Sequence, residues 1–281
     1  MKTSSQRWKW MLFCSVCYVT AAVHAFAEEQ RDVLRVAADP NNLPFSNDRL
    51  EGFENKIAEL IARELHCRIE YHWRAQRRGF FRETLKSGNV DLVLGVPAHF
   101  DMALTTAPYY RSTYVFVTRA DRNLHVSSFD APELRKLKVG VQLVGDDGVD
   151  TPPAHALAAR GIVNNVIGFT LYGDYRRQNP PVRVIDAVAN GDVDIAIAWG
   201  PLAAYFAKQS KVPLDITAVT PENDGPLRFA FDISLGVKKN DVELRDRLNK
   251  FLTDHREEID LILNRYNIPR VQSETNLTSA K

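Results

Sequence analysis

The sequence predicts an α/β fold of two domains, in which each domain is an open, mostly parallel sheet flanked by helices. Short apolar runs that are typical of buried strands alternate along the chain with segments whose apolar residues recur at helical spacing. This alternation is typical of parallel sheets, because their strands are joined by crossover helices. The length of 281 residues suits two domains of ordinary size once an N-terminal segment is set aside.

The first half of the chain contains most of the predicted elements of the first domain. Residues 34–38 form a β-rich run. The helix after this run has four apolar residues that fall on one face: Ile57, Leu60, Ile61 and Leu65. The next elements, in the order strand, helix, strand and strand, are predicted at residues 69–73, 79–86, 91–96 and 114–118. The last of these strands is predicted to leave the first domain.

The second domain is predicted to open with a strand and to end where the chain returns to the first domain, near residues 227–233. Its elements, in the order strand, helix, helix, strand and helix, are predicted at residues 138–142, 152–160, 182–190, 194–199 and 202–209. After the return, Asp241 and Asp254 are suitable N-caps for two final helices. The first of these helices has a predicted core face of four residues: Leu244, Leu248, Phe251 and Leu252.

The N-terminus has the three parts of a cleavable signal peptide over residues 1–27. Three basic residues precede an apolar stretch at residues 11–22, and a small-x-small cleavage site ends at Ala27. The apolar stretch is shorter than the roughly 20 residues that cross a bilayer. Neither cysteine of this segment lies in a lipobox, so we expect export to the periplasm without a membrane anchor.

Removal of the signal peptide changes what the composition implies. It takes away three basic residues and no acidic one, so the formal net charge falls from +1 to −2. A nearly neutral chain does not indicate a nucleic-acid partner. Cys67 is the only cysteine left, which excludes an internal disulfide. It is interpreted as a small buried hydrophobic residue, with a reactive thiol as the alternative.

Both ends of the mature chain carry a family resemblance. The segments VLRVAADPNNLPFSNDRLEGFENKIAELIAREL and LGVKKNDVELRDRLNKFLTDHREEIDLILNRYNI are similar to the family 3 solute-binding proteins of bacterial periplasms. The resemblance implies a two-lobed, periplasmic binding protein-like fold of type II with two interlobe crossings and a cleft between the lobes. It implies lobe 1 at residues 28–119 with 229–270, lobe 2 at residues 120–228 and a polar tail at residues 271–281. Such proteins bind rather than catalyse, so no catalytic residue is expected.

In such a fold, the cleft is lined by loops at the carboxyl ends of the strands. This rule predicts a ligand-or-partner cleft with the following residues: Asn42, Phe45, Phe53, Trp73, Pro97, Phe100, Tyr109, Tyr110, Gln142, Asp146, Trp199 and Pro201. The alternative for each aromatic residue in this set is that it belongs to the hydrophobic core. If half of them face the cleft, the cavity is expected to be large and apolar, which suits a protein segment or apolar ligand better than a zwitterion.

Two segments depart from the family members that bind amino acids. Those members carry an arginine that holds the ligand carboxylate, whereas GVPAHFDMALTTAPYY at residues 95–110 contains no arginine. They also carry an aspartate that holds the ligand amino group, where DIAIAWGP at residues 194–201 has Trp199 and Gly200. An ordinary amino acid is therefore not the expected ligand.

Three segments resemble a narrower branch: WRAQRRGFFRETL, VPAHFDMALTTAPYYRSTYVFVTR and AWGPLAAYFAKQ. The branch is the periplasmic J-type proteins encoded beside pyrroloquinoline-quinone (PQQ) methanol dehydrogenases. The resemblance implies an accessory that matures or activates a PQQ-dependent methanol dehydrogenase, its expected partner. The alternative is a receptor that delivers a small molecule, not a standard amino acid, to an ABC permease. A periplasmic enzyme would use His99, Asp101 or Asp146 as its acid or base.

Arg74, Arg77 and Arg78 crowd one short segment and are predicted partner-contact residues. They form either a solvated helix start or a contact with an acidic partner, since Arg is a frequent interface anchor. No metal or cofactor is expected, because no histidines have the spacing of a zinc site. The acidic cluster at residues 146–150 lacks the calcium-loop pattern. It is interpreted as a solvated turn, with a metal site as the alternative.

Overall fold

The structure is a computed structural model that describes residues 32–77, 79–143, 151–170, 175 and 178–272. The predicted signal peptide, Arg78, Asp146 and most of the predicted polar tail lie outside these residues. Within the described residues, no helix is both long enough and apolar enough to span a bilayer.

The strands of the described residues are numbered in chain order. They are β1 Val33–Ala38, β2 Asn41–Asn42, β3 Ser46–Asn47, β4 Arg68–Trp73, β5 Leu92–Pro97, β6 Leu104–Thr105, β7 Tyr110–Arg119, β8 Val139–Leu143, β9 Val166–Thr170, β10 Ile195–Trp199, β11 Leu214–Ala218, β12 Asn223–Asp224, β13 Leu227–Arg228 and β14 Ala230–Val237. The helices are α1 Phe53–Glu64, α2 Phe80–Glu83, α3 Pro152–Ala159, α4 Arg183–Asn190, α5 Gly200–Gln209, α6 Val242–Asp254 and α7 Arg256–Arg265.

Ten of these strands form one sheet that has a parallel group at each end. The order along the sheet is β4-β1-β5-β14-β7-β10-β8-β9, with β6 beside β14 and β11 beside β7. Strands β4, β1 and β5 run parallel to one another, as do β10, β8 and β9. Antiparallel β14 and β7 join the two groups. The predicted α/β class with mostly parallel strands and two crossings is confirmed.

Strand β7 is longer than the strand predicted at residues 114–118, because it serves both groups. Its part up to Thr113 pairs with β14. From Tyr114 onwards it pairs with β10, and from Val115 onwards also with β11. The predicted strand therefore corresponds to the part of β7 in the second group. The lobe boundaries at residues 119/120 and 228/229 stay a prediction.

The predicted helix at residues 79–86 is wrong in its length, since α2 ends at Glu83. Thr84 leaves helical geometry, and its hydroxyl donates a hydrogen bond to the carbonyl of Phe80 over 2.6 Å. Threonine side chains compete for backbone groups in this way and end short helices. The residues that follow form turns up to β5.

Of the two predicted N-caps, Asp241 is confirmed and Asp254 is wrong. The Asp241 carboxylate accepts a hydrogen bond from the backbone N–H of Leu244 over 3.2 Å. Asp254 is the last residue of α6 and pairs with Lys250 one turn earlier. His255 takes the N-cap position of α7, because α6 continues until one residue before α7 begins.

Buried side chains form separate hydrophobic clusters on the two parts of the sheet. One cluster packs β1, β5 and β14 against α1, α6 and α7. Two others cover β7, β8 and β10, one with α4 and α5 and the other with α3. The predicted core faces of α1 and α6 are buried, which gives these amphipathic helices most of their stability: Ile57, Leu60, Ile61, Leu65, Leu244, Leu248, Phe251 and Leu252.

Candidate functional site

The loop after β1, residues 39–47, is fixed at the carboxyl edge of the first parallel group; we call it the β1 loop. Asp39 is buried, and its Oδ1 accepts a hydrogen bond from the N–H of Asn41 over 2.9 Å. Its Oδ2 accepts one from the N–H of Gln76 over 2.8 Å, just beyond β4. Ser46 Oγ donates to the Asp39 carbonyl over 2.8 Å. The loop therefore lies where open α/β sheets bind ligands.

The β1 loop also contacts residues that precede α4, from the second part of the sheet. The Tyr175 hydroxyl donates to Asp39 Oδ2 over 2.6 Å, and the N–H of Asn179 donates to Asn41 Oδ1 over 2.8 Å. Leu43 is buried in the cluster that contains α4 and α5. These contacts close one side of the space between the two parallel groups.

A half-enclosed cavity of about 200 Å³ remains between the β1 loop and the second parallel group. Among the described residues, it is lined by Asp39, Asn42, Phe45, Gln76, Tyr114, Gln142, Tyr175, Pro180, Pro181, Trp199 and Leu202. None of these lining residues is basic, and one is acidic. Of the seven aromatic residues predicted for the cleft, two line this cavity, which is fewer than the half that a large apolar cleft would need.

Gln142 and Trp199 form one wall at the ends of the adjacent strands β8 and β10. Gln142 is only 2% exposed, and its Oε1 accepts a hydrogen bond from the backbone N–H of Trp199 over 3.2 Å. The Trp199 ring stands edge-on to Tyr114, with ring centres 5.3 Å apart and planes at 70°. Burial raises the pKa of Tyr114, so its hydroxyl stays protonated at neutral pH.

The structure brings together one part of the predicted cleft and disperses the rest. Asn42, Phe45, Gln142 and Trp199 line the cavity. Pro201 is buried in the first turn of α5, directly after Trp199. Gln142 and Trp199 lie at the carboxyl ends of β8 and β10, whereas Asn42 and Phe45 belong to the β1 loop.

Several predicted cleft residues lie in the core instead. Phe53, Tyr109 and Tyr110 are buried in the cluster of β1, α1 and α7. The Phe53 ring lies 5.5 Å from that of Phe45 and 6.1 Å from that of Tyr110, so aromatic contacts run from the cavity into the core. A position near the end of a strand does not decide whether an aromatic ring faces the cavity or the core.

Other predicted residues lie away from the cavity. Trp73 stacks on Tyr71, with ring centres 4.6 Å apart. Pro97 is exposed at the end of β5, and the Phe100 ring packs 4.7 Å from that of Phe81. Asp146 lies outside the described residues.

Of the predicted partner-contact residues, Arg77 contacts a residue that lines the cavity. Its guanidinium carbon is 5.0 Å from the centre of the Tyr175 ring. Arg74 is paired with Glu83 of α2, and Arg78 lies outside the described residues. The arrangement places one exposed cation beside a cavity wall.

Sequence reasoning missed most of the cavity lining: Asp39, Gln76, Tyr114, Tyr175, Pro180, Pro181 and Leu202. Asp39 could have been found, since it follows β1 directly and obeys the same rule as Asn42. Tyr175 and the two prolines come from a stretch without helical or strand periodicity. Their approach to the β1 loop depends on tertiary contacts, so no local pattern indicates it.

Glu54 lies in the first turn of α1. Its carboxyl group faces Gly95 of β5, where a φ of +72° accompanies an irregular register with β14. A Cβ at this glycine would collide with the Glu54 carboxylate. Burial, and to a lesser extent the charge of Asp39, raises the pKa of Glu54 to about 8.

The described residues contain no group of three or more His, Cys, Asp or Glu that could hold a metal ion. The acidic cluster at residues 146–150 lies outside them. His99 and Asp101, two candidates for an acid or base, lie on an exposed turn after β5 rather than at the cavity. The third candidate, Asp146, belongs to the cluster just mentioned.

Comparison with known proteins shows the family to which the chain belongs. Residues 34–268 match the bacterial extracellular solute-binding proteins, family 3. Protein MoxJ of Paracoccus denitrificans is 33% identical over an alignment that covers 93% of this chain and 98% of MoxJ.

Two crystal structures are similar to most of the chain. MxaJ from Methlophaga aminisulfidivorans MPT has a TM-score of 0.73 and 28% identity, with 85% of this chain and 100% of that chain covered. The periplasmic binding protein XoxJ from Methylobacterium extorquens AM1 has a TM-score of 0.70 and 33% identity, with the same coverage. The resemblance predicted from the sequence is confirmed, and the chain belongs to the bacterial extracellular solute-binding proteins of family 3.

Proposed function

We propose that the protein is a periplasmic accessory of a PQQ-dependent methanol dehydrogenase. The observation that carries the proposal is the similarity to MoxJ and XoxJ along nearly the whole chain. In this role the protein is exported by its signal peptide and binds the dehydrogenase in the periplasm. It assists maturation or activation of the enzyme by holding a protein segment or an apolar ligand between its lobes.

The cavity lining supports a role other than amino-acid transport. An amino acid needs a cation for its carboxylate and a free carboxylate for its ammonium group. The described lining residues include no basic side chain, and both Asp39 oxygens already accept hydrogen bonds. Trp199 stands where amino-acid-binding relatives are expected to have an aspartate.

Some of the contacts that close the cavity are single hydrogen bonds, which a binding partner can break. They include the Tyr175–Asp39 and Asn179–Asn41 hydrogen bonds. A typical hydrogen bond contributes about 1 kcal/mol net, whereas a micromolar protein complex has about 8 kcal/mol of binding free energy. We therefore propose that a dehydrogenase segment enters by hinge opening of the lobes, with Arg77 at the rim contacting acidic groups of the enzyme.

The test is surface binding of the mature chain, residues 28–281, to purified periplasmic methanol dehydrogenase in cofactor-free and cofactor-loaded forms. We expect binding with a preference for one form, since a maturation or activation partner distinguishes them. Trp199→Ala is expected to weaken binding at least tenfold without loss of the folded state. Trp73→Ala, at a stacked ring outside the cavity, is the matched control. Absence of binding to both forms would contradict the proposal.

A receptor for an ABC permease is the second candidate, and the small, half-enclosed cavity favours it. A cavity of about 200 Å³ encloses one small molecule rather than a folded segment. This candidate predicts a marked rise in melting temperature with one member of a panel of small metabolites, because a ligand that binds only the folded state stabilises it. No such rise, combined with dehydrogenase binding, would eliminate it.

A further inference from the structure

Four of the eleven described residues that line the cavity are aromatic. Phe45, Tyr114, Tyr175 and Trp199 come from four separate parts of the chain and meet around one space. Aromatic faces carry negative electrostatic potential and attract cations that have lost their water. An aromatic cage of this kind is suited to an organic cation with a soft, methylated surface.

The cavity also contains a negatively charged side chain, so its charge has the same sign as the negative potential of the aromatic faces. Asp39 is the acidic residue of the described lining, and Lys, Arg and His do not occur in that lining. Three hydrogen bonds to its carboxylate come from neutral donors: the N–H groups of Asn41 and Gln76 and the Tyr175 hydroxyl. The guanidinium of Arg77 contacts the Tyr175 ring, and within the part of the chain that the structure describes no ion pair reaches Asp39. The described part of the cavity therefore favours positive charge.

The hydrogen bonding of Asp39 also restricts the kind of cation. With its oxygens already accepting from three donors, the carboxylate contributes its field but few free acceptor sites. An ammonium ion with N–H groups would find few free acceptor sites on this carboxylate, which is unfavourable for donors that lose their water. A quaternary ammonium ion has no N–H group, and it requires only the charge and the aromatic faces.

Gln142 adds a polar feature at the opposite wall. Because its Oε1 accepts from the Trp199 N–H, the amide orientation is fixed and Nε2 is the free end. The Gln142 side chain is almost fully buried and lines the cavity, and Nε2 has no hydrogen-bond partner among the described residues. It can donate to an oxygen on the ligand.

We propose that this cavity binds a quaternary ammonium compound that carries an oxygen acceptor, choline in its simplest form. The inference deepens the proposed function and rests on it, since it assigns a ligand to the cleft through which the accessory acts. The volume is adequate, because an apolar cavity of about 150 Å³ already holds a benzene ring. The trimethylammonium head lies in the aromatic cage, and the ligand oxygen lies near Gln142.

The test compares choline with 3,3-dimethylbutan-1-ol, its neutral isostere, by calorimetry and thermal shift on the mature chain without dehydrogenase. We expect choline to bind and stabilise the protein, and the isostere to bind at least tenfold more weakly, since they differ in charge and not in shape. Equal affinities, or no detectable choline binding, would overturn the inference. Binding to the dehydrogenase is measured in parallel without choline, so that failure of this inference and failure of the proposed function are distinguished.

Substitutions locate the site. Trp199→Leu is expected to weaken choline binding about tenfold, the loss of one desolvated cation–π contact, while Trp73→Leu leaves it unchanged. Asp39→Asn, which keeps size and removes charge, is expected to reduce the preference for choline over the isostere. A Trp199→Leu variant that folds, as judged by circular dichroism, and binds choline as tightly as the original chain would place the ligand elsewhere and contradict the inference.

Discussion

At the scale of single residues, Glu54 is placed where its ionisation is unfavourable. Its carboxyl group packs against Gly95. The Cβ of any other residue at position 95 would occupy the space of this carboxyl group. Desolvation is the main reason that its pKa rises to about 8, and the charge of Asp39 adds to it. The carboxyl group is therefore mostly protonated at neutral pH, in contrast to an exposed glutamate.

The raised pKa of Glu54 predicts a pH-dependent stability. Because the folded state holds this proton more tightly than the unfolded state, the contribution is fully present below pH 4.5 and is lost as pH rises towards 8. Glu54→Gln keeps the shape and removes the charge. We expect the variant to exceed the original chain in unfolding free energy by about 1–3 kcal/mol above pH 8 and to match it near pH 4.

Urea unfolding across this pH range measures the effect. Glu59→Gln, an exposed position on the same helix, is the control and is expected to leave the pH profile unchanged. A Glu54→Gln profile parallel to that of the original chain would show that Glu54 is ionised in the folded state.

At the scale of elements, His255 joins three helices. It lies between α6 and α7, and its Nδ1 is 2.6 Å from Glu258 Oε1. Its Nε2 is 3.2 Å from Glu64 Oε2, at the end of α1. The bond with Glu258 first, and that with Glu64 next, raise the pKa of His255.

This arrangement predicts that α7 is held more firmly at low pH. The stabilisation is fully present below the ordinary pKa of 6.5 and is lost as pH rises through the higher folded value. His255→Gln is expected to cost about 0.5 kcal/mol at pH 5.5, as for other partly exposed ion pairs, and almost nothing at pH 9. The same cost at both pH values would mean that the imidazole acts through packing on Phe251 rather than through charge.

Local patterns predicted the elements better than their ends. The apolar periodicity of α1 and α6 and the cap at Asp241 depend on residues that are close in sequence. Both features could therefore be predicted from the sequence alone. The predicted N-cap at Asp254 was wrong, because α6 continues to that residue. The predicted length of α2 was wrong, because Thr84 departs from helical geometry. Strand-end reasoning found Asn42, Phe45, Gln142 and Trp199 because parallel strands bring their carboxyl ends to one edge.

At the scale of the whole molecule, the cavity is closed by contacts between distant parts of the chain. Tyr175 and Asn179 reach the β1 loop from the second part, and Leu43 extends from that loop into the cluster of α4 and α5. These contacts join segments more than 100 residues apart, so no periodic signal in the sequence predicts them. They hold the two parts together.

The hydrogen bond from the Tyr175 hydroxyl helps to close the cavity, so removal of this hydroxyl should favour opening. Tyr175→Phe deletes the hydrogen bond to Asp39 and is expected to reduce the free energy of closure by about 1 kcal/mol. Small-angle scattering should then show a larger radius of gyration, and ligands should enter faster. Tyr205→Phe on α5, whose ring stacks on Tyr266 outside the cavity, is the control. Identical scattering from both variants would show that the hydroxyl does not maintain closure.

The central claim is that the cleft between the two parts of the sheet is the surface that receives the dehydrogenase. Hydrogen–deuterium exchange of the mature chain, with and without cofactor-free and cofactor-loaded methanol dehydrogenase, tests it most directly. We predict that exchange changes in the β1 loop, in residues 178–182 before α4 and at the start of α5. A change confined to other surfaces, or no change with either form of the enzyme, would contradict the claim.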